Sequence, residues 1–117
     1  KTENIFFHED DYVEEVKRFI EVKYLNENFS IEYLCAMLHI SHSHLCRVFR
    51  KKEGVSVVSY INALKMTKAE ELLKKTSLTV KEISYMCGFK EYEYFFSMFK
   101  KIHSVTPLQY RKQKSGL

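Results

Sequence analysis

Two stretches of this sequence end in aromatic and cationic side chains at helical spacing. Residues 45–51 read Leu-Cys-Arg-Val-Phe-Arg-Lys, and residues 95–101 read Phe-Phe-Ser-Met-Phe-Lys-Lys. A helix formed by either stretch would bury its apolar side chains and expose its guanidinium or ammonium groups on the other face. Such groups bind phosphate oxygens by their charge, and arginine also matches the O6 and N7 acceptors of guanine. These side chains therefore indicate binding of a polyanion, above all of a nucleic acid.

Both stretches belong to a pattern that occurs twice in the chain. Three apolar positions of a leading helix recur after 49 residues, where Ile31, Leu34 and Leu38 match Val80, Ile83 and Cys87. The following helix recurs after 50 residues, where Leu45, Val48, Phe49, Arg50 and Lys51 match Phe95, Met98, Phe99, Lys100 and Lys101. Two short helices joined by a tight turn are how a helix is presented to a DNA major groove. The repeat predicts two such helix-turn-helix units.

The elements that must position these side chains are helices. Three glycines and one proline among 117 residues are too few for the turns of an all-β protein. The apolar spacing predicts an all-α fold of about seven helices, with two helix-turn-helix subdomains joined by a long linker helix. We assign residues 12–55 and 76–113 to the subdomains, 56–75 to the linker and 114–117 to a tail. Because the chain lacks an initiating methionine, residues 1–11 are expected to lead in from a missing N-terminal domain.

Capping residues predict where the helices begin and end. The expected N-caps are Ser30, Ser41, Thr79 and Glu91, of which the glutamate is the weakest. Thr79 is spaced to form a capping box with Glu82. Gly54 is expected to end a helix, and Gly88 to supply a positive φ in the second turn. A final short helix is expected to start at Thr106-Pro107 and to end near Lys112.

Charge is distributed unevenly, although the formal net charge is only +4. Residues 1–33 hold nine acids and four bases, whereas residues 34–117 hold six acids and fifteen bases. The bases of the second part cluster in the linker and at the ends of the repeated helices. Scattered bases would indicate a solvated surface, but this clustering favours a surface that faces a polyanion.

Metal binding, catalysis and membrane insertion find little support. His42 with Cys46, and Cys35 with His39, lie four residues apart, but each pair supplies only two metal ligands. An odd set of three cysteines fits a reducing compartment better than a disulfide framework. No phosphate-binding glycine loop or nucleophile–base set is recognisable, and no apolar run approaches the ~20 residues that span a bilayer. We expect no enzymatic activity, no cofactor, no metal and no membrane partner.

Several separated motifs occur in the order of one known family. Residues 60–73, Tyr-Ile-Asn-Ala-Leu-Lys-Met-Thr-Lys-Ala-Glu-Glu-Leu-Leu, are similar to its linker helix. Its signature is matched by Glu82-Ile83, Gly88-Phe89, Tyr94-Phe95, Phe99-Lys100-Lys101 and Thr106–Arg111. On these motifs, about residues 12–113 resemble the DNA-binding domain of the AraC/XylS family of bacterial transcription regulators. The resemblance implies two helix-turn-helix subdomains that insert recognition helices into successive major grooves.

The expected length of the linker is consistent with such an arrangement. A helix of about 18 residues, rising 1.5 Å per residue, spans ~27 Å. With the offsets of the two subdomains added, the recognition helices could lie ~34 Å apart, which is one turn of B-DNA. One chain could then read two half-sites in tandem without dimerising.

Base-reading residues are expected on both recognition helices. Helical spacing turns His42, Ser43, Cys46, Arg47 and Arg50 of the first helix outward, and the resemblance implies that Ser43, Cys46 and Arg47 face bases. Arg47 is the strongest candidate, since a bidentate pair with guanine discriminates by about 1–3 kcal/mol; a phosphate contact is the alternative. On the second helix the resemblance implies Tyr92, Glu93 and Ser97. Glu93 could accept from a cytosine amine or repel phosphates, so the first subdomain is expected to carry more of the sequence readout.

Other side chains are expected to grip the DNA backbone whichever base is present. They are His42, Arg50, Lys51, Lys65, Lys90, Lys100 and Lys101. Lys65 stands where the family commonly has arginine, which keeps the charge but loses the planar fork. Ser84 replaces a usual alanine, a difference that we interpret as structural.

Two functions from different classes follow. The first is sequence-specific binding of a double-stranded DNA operator in the bacterial cytoplasm and nucleoid, as the output domain of a transcription regulator. The second is a helical protein-interaction module that docks on a transcription partner such as RNA polymerase, and the two can coexist. The fragment could be monomeric while its parent dimerises. Salt separates the two functions, because DNA binding through phosphates weakens steeply as salt rises.

Overall fold

The computed structural model describes residues 9–26 and 28–115, and over these residues the chain forms seven α-helices and no strand. The helices are α1 (Glu9–Lys23), α2 (Ile31–Leu38), α3 (His42–Glu53), α4 (Val57–Lys75), α5 (Val80–Met86), α6 (Tyr92–His103) and α7 (Pro107–Ser115). The prediction of an all-α fold with about seven helices is confirmed. Residues 1–8 of the expected lead-in and residues 116–117 of the expected tail lie outside the described residues.

The helices divide into two units, residues 1–62 and 63–117, and the boundary falls within α4. The first unit contains α1, α2, α3 and the start of α4. Its core is apolar and draws on all four helices, with buried Val13, Val16, Ile20, Leu34, Cys35, Ile40, Leu45, Val48, Phe49, Val57 and Ile61. Full burial of an aliphatic or aromatic side chain of this size stabilises a fold by about 1.5–3 kcal/mol.

Polar contacts fix α1 against the other helices of the first unit. The Lys17 ammonium lies 3.3 Å from a carboxylate oxygen of Glu53 at the end of α3. The Tyr60 hydroxyl donates to Glu21 at 2.6 Å, and its ring meets Phe49 edge-on at 5.4 Å between centroids. Burial, and then the hydrogen bond to Glu21, raise the pKa of Tyr60 well above its ordinary value.

The second unit contains the end of α4 with α5, α6 and α7. Its buried cluster is richer in aromatic side chains and comprises Met66, Ala69, Leu73, Ile83, Cys87, Phe89, Phe95, Phe99 and Tyr110. Met66 is buried in this cluster, whereas Leu72 packs against it and is only partly buried. Ser84 is fully buried and donates to the Lys81 carbonyl at 2.8 Å, which supports its interpretation as a structural residue.

Local capping chemistry sets most of the helix starts. The hydroxyls of Ser30 and Ser41 each accept an amide N–H from the first turn, and Thr79 forms the predicted capping box with Glu82. Glu91 occupies the N-cap position of α6, but its side chain makes no capping hydrogen bond, so that part of the prediction was wrong. Thr106 and Gln109 exchange a second pair of reciprocal hydrogen bonds at the start of α7, at 2.8 and 3.1 Å.

The turn of each helix-turn-helix unit contains one residue with a positive φ. Gly88 has φ +89°, as predicted, and Gly54 ends α3 with φ +80°. In the first unit the turn after α2 is made by His39, which has φ +56° and ψ +45°. A left-handed conformation costs a residue with a Cβ about 1–2 kcal/mol, so the first turn carries strain that the glycine of the second turn avoids.

Candidate nucleic-acid interface

Helix α3 has one buried face and one exposed face. Leu45, Val48 and Phe49 are at most 2% exposed, which fixes the rotation of the helix about its axis. The positions between them therefore face solvent, as the spacing predicted. His42, Ser43, Arg47, Arg50 and Lys51 are exposed, and Cys46 is half-buried. Three cations and a hydroxyl thus share a surface that the first unit does not use for its own packing.

The strongest predicted base reader is already engaged within α3. A terminal nitrogen of Arg47, Nη2, lies 2.8 Å from Nδ1 of His44, three residues earlier. A guanidinium has donors and no acceptor, so Nδ1 must accept and the imidazole must be neutral, with its proton on Nε2. Four other N–H groups of Arg47 stay available. The sequence analysis did not single out His44; its (i, i+3) spacing to Arg47 was the signal that could have identified it.

His44 is held by one contact at its backbone and one at its ring. Its backbone N–H donates to the Ser41 hydroxyl at 3.1 Å, which fixes the first turn of α3. Its ring lies 6.3 Å from that of Tyr12 on α1, centroid to centroid, at 42°. The Tyr12 hydroxyl in turn donates a long hydrogen bond of 3.4 Å to the Leu38 carbonyl. The contacts of Arg47 therefore continue through His44 into the packing of α1.

His42 and Cys46 form the other side-chain contact on the exposed surface of α3. The Cys46 sulfur lies 3.6 Å from Nδ1 of His42, so this pair shares a helical face as its spacing predicted. Across the described ranges, no group of three or more histidine, cysteine, aspartate or glutamate residues could hold a metal ion. The pair is accordingly described as a thiol–imidazole contact.

Helix α6 repeats the two-faced arrangement in the second unit. Phe95 and Phe99 are fully buried, whereas Glu93, Ser97, Lys100 and Lys101 are exposed. Tyr92 is half-buried: it packs against the core, and its ring lies 6.0 Å from that of Phe96, centroid to centroid. Of the three base readers expected on this helix, Glu93 and Ser97 are thus open to a ligand, and Tyr92 is partly occupied by packing.

Lys65 is placed differently from the other expected backbone contacts. Its ammonium donates to the Gly88 carbonyl at 3.0 Å and lies 5.5 Å from the centre of the Phe89 ring. Burial, and then repulsion by Lys90, lower the pKa of Lys65. Lys65 therefore joins α4 to the turn between α5 and α6, which is a structural use of a charge that the sequence assigned to phosphate. Lys90, which follows the same turn, is exposed.

Two further polar contacts join α4 to the helices that follow it in the second unit. Nε2 of His103, the last residue of α6, lies 2.8 Å from a carboxylate oxygen of Glu70 on α4, and its ring lies 4.2 Å from that of Phe99, centroid to centroid. Arg111 of α7 donates from Nε to the Leu73 carbonyl at 3.0 Å, near the end of α4. Its Nη2 is buried, and none of the described residues accepts a hydrogen bond from it. The His103 contact therefore holds the end of α6 against α4.

None of the described helices combines the length and the apolar character needed to cross a bilayer. The cysteines Cys35, Cys46 and Cys87 are free thiols, and burial raises the pKa of Cys87 to about 11.

The exposed faces of α3 and α6 carry the cationic and hydroxyl side chains described above. These groups can form hydrogen bonds and charge pairs with an anionic ligand.

Comparison with known proteins identifies relatives that this chain matches over most of its own length. A family described as "Helix-turn-helix domain" matches residues 34–113, from within α2 to within α7. The chain is 36% identical to the xylose operon regulatory protein of Escherichia coli (strain K12) over 89 residues, or 76% of this chain. It spans only 23% of the length of that regulator.

Two solved structures resemble the chain over most of its length. One is the C-terminal domain of the two-component response regulator yesN from Fusobacterium nucleatum, 35% identical with a TM-score of 0.78, covering 84% of this chain and 95% of that one. The other is the DNA-binding domain of AdpA, solved in complex with a target DNA. It is 25% identical with a TM-score of 0.75, covering 86% of this chain and 90% of that one.

Proposed function

Since the chain belongs to the AraC/XylS family of helix-turn-helix DNA-binding domains, we propose that it binds double-stranded DNA sequence-specifically through α3 and α6. The observation that carries the proposal is the repeated two-faced helix. In each unit a short helix and a tight turn precede a helix whose apolar face is buried and whose exposed face bears cations. A similar domain, that of AdpA, was solved in complex with a target DNA, which supports the same role here.

Sequence readout is proposed to rest mainly on α3. Arg47 would pair with O6 and N7 of guanine, Ser43 would bond to a base or a phosphate, and Cys46 would pack on a thymine methyl group. On α6 the proposed readers are Glu93, which could accept from cytosine N4, and Ser97. Tyr92 contributes less, because its ring is partly taken up by packing on the core.

Backbone contacts are proposed for His42 and for the exposed lysine and arginine side chains, which bind any sequence alike. The cations are Arg50, Lys51, Lys90, Lys100 and Lys101. Lys65 is not proposed as a backbone contact, because its ammonium donates to the Gly88 carbonyl. We propose instead that it positions the turn that precedes α6.

Reading two successive major grooves with one chain is part of the proposal. The two units are joined by the continuous helix α4, whose 19 residues correspond to about 28 Å of helix. The expected separation of one duplex turn between the recognition helices stays a prediction. So does the division into subdomains at 12–55, 56–75 and 76–113.

The decisive experiment is selection of bound sites from random duplexes with the 117-residue chain, followed by affinity measurements over a range of salt concentrations. We expect two enriched motifs about one helical turn apart. The logarithm of the affinity should fall against the logarithm of the salt concentration by about 0.9 for each phosphate contact. No enrichment together with a flat salt response would contradict the proposal.

In its parent protein this domain is proposed to be the output part of a bacterial transcription regulator in the cytoplasm. The basis is its similarity to the xylose operon regulatory protein, of whose length it spans 23%, and to the C-terminal domain of a two-component response regulator. Sedimentation of the 117-residue chain and of its parent protein tests whether the domain is a monomer and its parent a dimer.

Docking on a transcription partner such as RNA polymerase is the second candidate function. One observation favours it: α1 bears exposed acids, among them Glu14, Glu15 and Glu21, and the same helix carries Val22, which is 77% exposed. Carboxylates repel DNA phosphates and attract a basic protein partner. Val22→Ser should leave DNA affinity unchanged and reduce transcription activation if this surface is used.

A further inference from the structure

We propose that His44 is a positioning residue for base reading, and that its Nδ1 atom holds the Arg47 guanidinium in the orientation that meets the base edge. This inference rests on the proposed function, since it concerns how one of the proposed readers is aimed. The carrying observation is the hydrogen bond of 2.8 Å between Arg47 Nη2 and His44 Nδ1.

An arginine on an exposed helix face has a long side chain with many rotamers. Fixing such a side chain against a base costs affinity, and a site whose side chains are already ordered loses less on binding. The bond to His44 uses one N–H of Nη2 and leaves four donors, enough for a bidentate pair with guanine while the bond to His44 is retained. The same contact thus orders Arg47 without consuming its capacity to read.

The imidazole can serve as a fixed acceptor because it is itself ordered. Tyr12 packs against one side of the ring, and the Ser41 hydroxyl accepts the backbone N–H of the same residue. His44 is half-buried, whereas Arg47 is exposed, so the acceptor is fixed by packing while the donor can reach a ligand. His44 therefore connects the packing of α1 on α3 to Arg47, a proposed base reader.

The test measures a ratio of affinities and not affinity alone. Site selection with the 117-residue chain supplies a preferred duplex, and Arg47→Ala identifies the base pair at which preference is lost. The discrimination ratio is the Kd for a duplex altered at that pair divided by the Kd for the preferred duplex. It is then measured for His44→Phe, which keeps an aromatic ring against Tyr12 but lacks the acceptor, and for His44→Asn, whose Oδ1 can replace Nδ1 as acceptor.

We expect His44→Phe to lower the ratio by about threefold to tenfold, within the range that a bidentate pair provides. His44→Asn should restore most of it, and His44→Phe should have no further effect in the Arg47→Ala background. A urea unfolding curve for each variant shows that the fold is retained.

An unchanged ratio in His44→Phe would overturn the inference, and so would a raised ratio, which would mean that the bond holds Arg47 away from DNA. Both results leave the proposed function intact if Arg47→Ala still relaxes the preference. If Arg47→Ala itself has no effect, the assignment of Arg47 as a reader fails together with the inference. If selection enriches no site, the proposed function fails first.

Discussion

The ammonium of Lys65 donates a hydrogen bond of 3.0 Å to the carbonyl oxygen of Gly88. Lys65 lies on α4, and Gly88 has φ +89° in the turn between α5 and α6. A charge that the sequence suggested for phosphate binding thus fixes the turn in front of a recognition helix. This contact distinguishes cations that build the interface from cations that face its ligand, and it can be tested.

Lys65→Met should lower the free energy of unfolding by about 1 kcal/mol, because a charged hydrogen bond to a backbone carbonyl is lost. The loss is kept small by the desolvation that already lowers the pKa of the ammonium. Urea unfolding measures the stability, and the salt dependence of DNA affinity should keep its slope. Lys90→Met is the matched control, since Lys90 is exposed beside the same turn. This variant should unfold at the same urea concentration as the natural chain, while the salt slope of its DNA affinity falls by about 0.9. An unchanged stability together with a smaller salt slope in Lys65→Met would show that Lys65 contacts a phosphate.

Arg47→Ala and Lys100→Ala should differ in kind. Arg47→Ala is expected to relax preference at one base pair by about 1–3 kcal/mol, because a bidentate contact reads a base edge. Lys100→Ala should weaken binding to all duplexes alike and reduce the salt slope by about 1, as loss of a phosphate contact does. Competition between the preferred duplex and single-pair variants separates the two effects. Intact sequence preference in Arg47→Ala would show that Arg47 is not a base reader.

His39→Gly should stabilise the first unit by about 1 kcal/mol, since glycine adopts φ +56° without the Cβ penalty. Chemical denaturation of the natural chain and the variant gives the difference. His39→Ala is the control: it removes the imidazole but keeps the Cβ, and it should gain nothing. A loss of stability in His39→Gly would mean that the imidazole makes a contact that outweighs the backbone strain.

The three thiols should react with an alkylating reagent at different rates. Cys46 is half-buried on the exposed side of α3, whereas Cys87 is fully buried, and burial raises its pKa to about 11. Because the thiolate is the reactive form, Cys87 should stay unmodified at neutral and mildly alkaline pH while Cys46 is modified. Burial also raises the pKa of Cys35, with smaller contributions from Cys46 and Glu32. Peptide mapping after timed alkylation orders the sites, and bound DNA should slow modification of Cys46 alone.

Most of the helix boundaries could be predicted because their causes are local. Ser30 and Ser41 each accept an N–H from three residues ahead, and Thr79 with Glu82 closes a capping box over the same span. Glu91 shows where local reasoning stops. It occupies the right position, yet its longer side chain makes no capping hydrogen bond, so α6 begins without one.

The exposed face of α3 could also be predicted, since the burial of Leu45, Val48 and Phe49 leaves only one direction for the residues between them. The same reasoning applied to α6 placed Glu93 and Ser97 on the open face. It did not show that Tyr92 packs on the core of the second unit, because that contact depends on neighbours from other helices.

Local sequence patterns are enough to predict the all-α class, the repeat, most of the caps and the outward faces of the recognition helices. Each of these depends on periodicity or on hydrogen bonds that span a few residues. Which cations stay available to a ligand, and which side chains orient them, depends on contacts between distant segments. The acceptor for Lys65 comes from a turn 23 residues further along the chain, and the ring that supports His44 comes from α1. Contacts between distant segments leave no periodic trace in a sequence, because the fold alone brings the partners together.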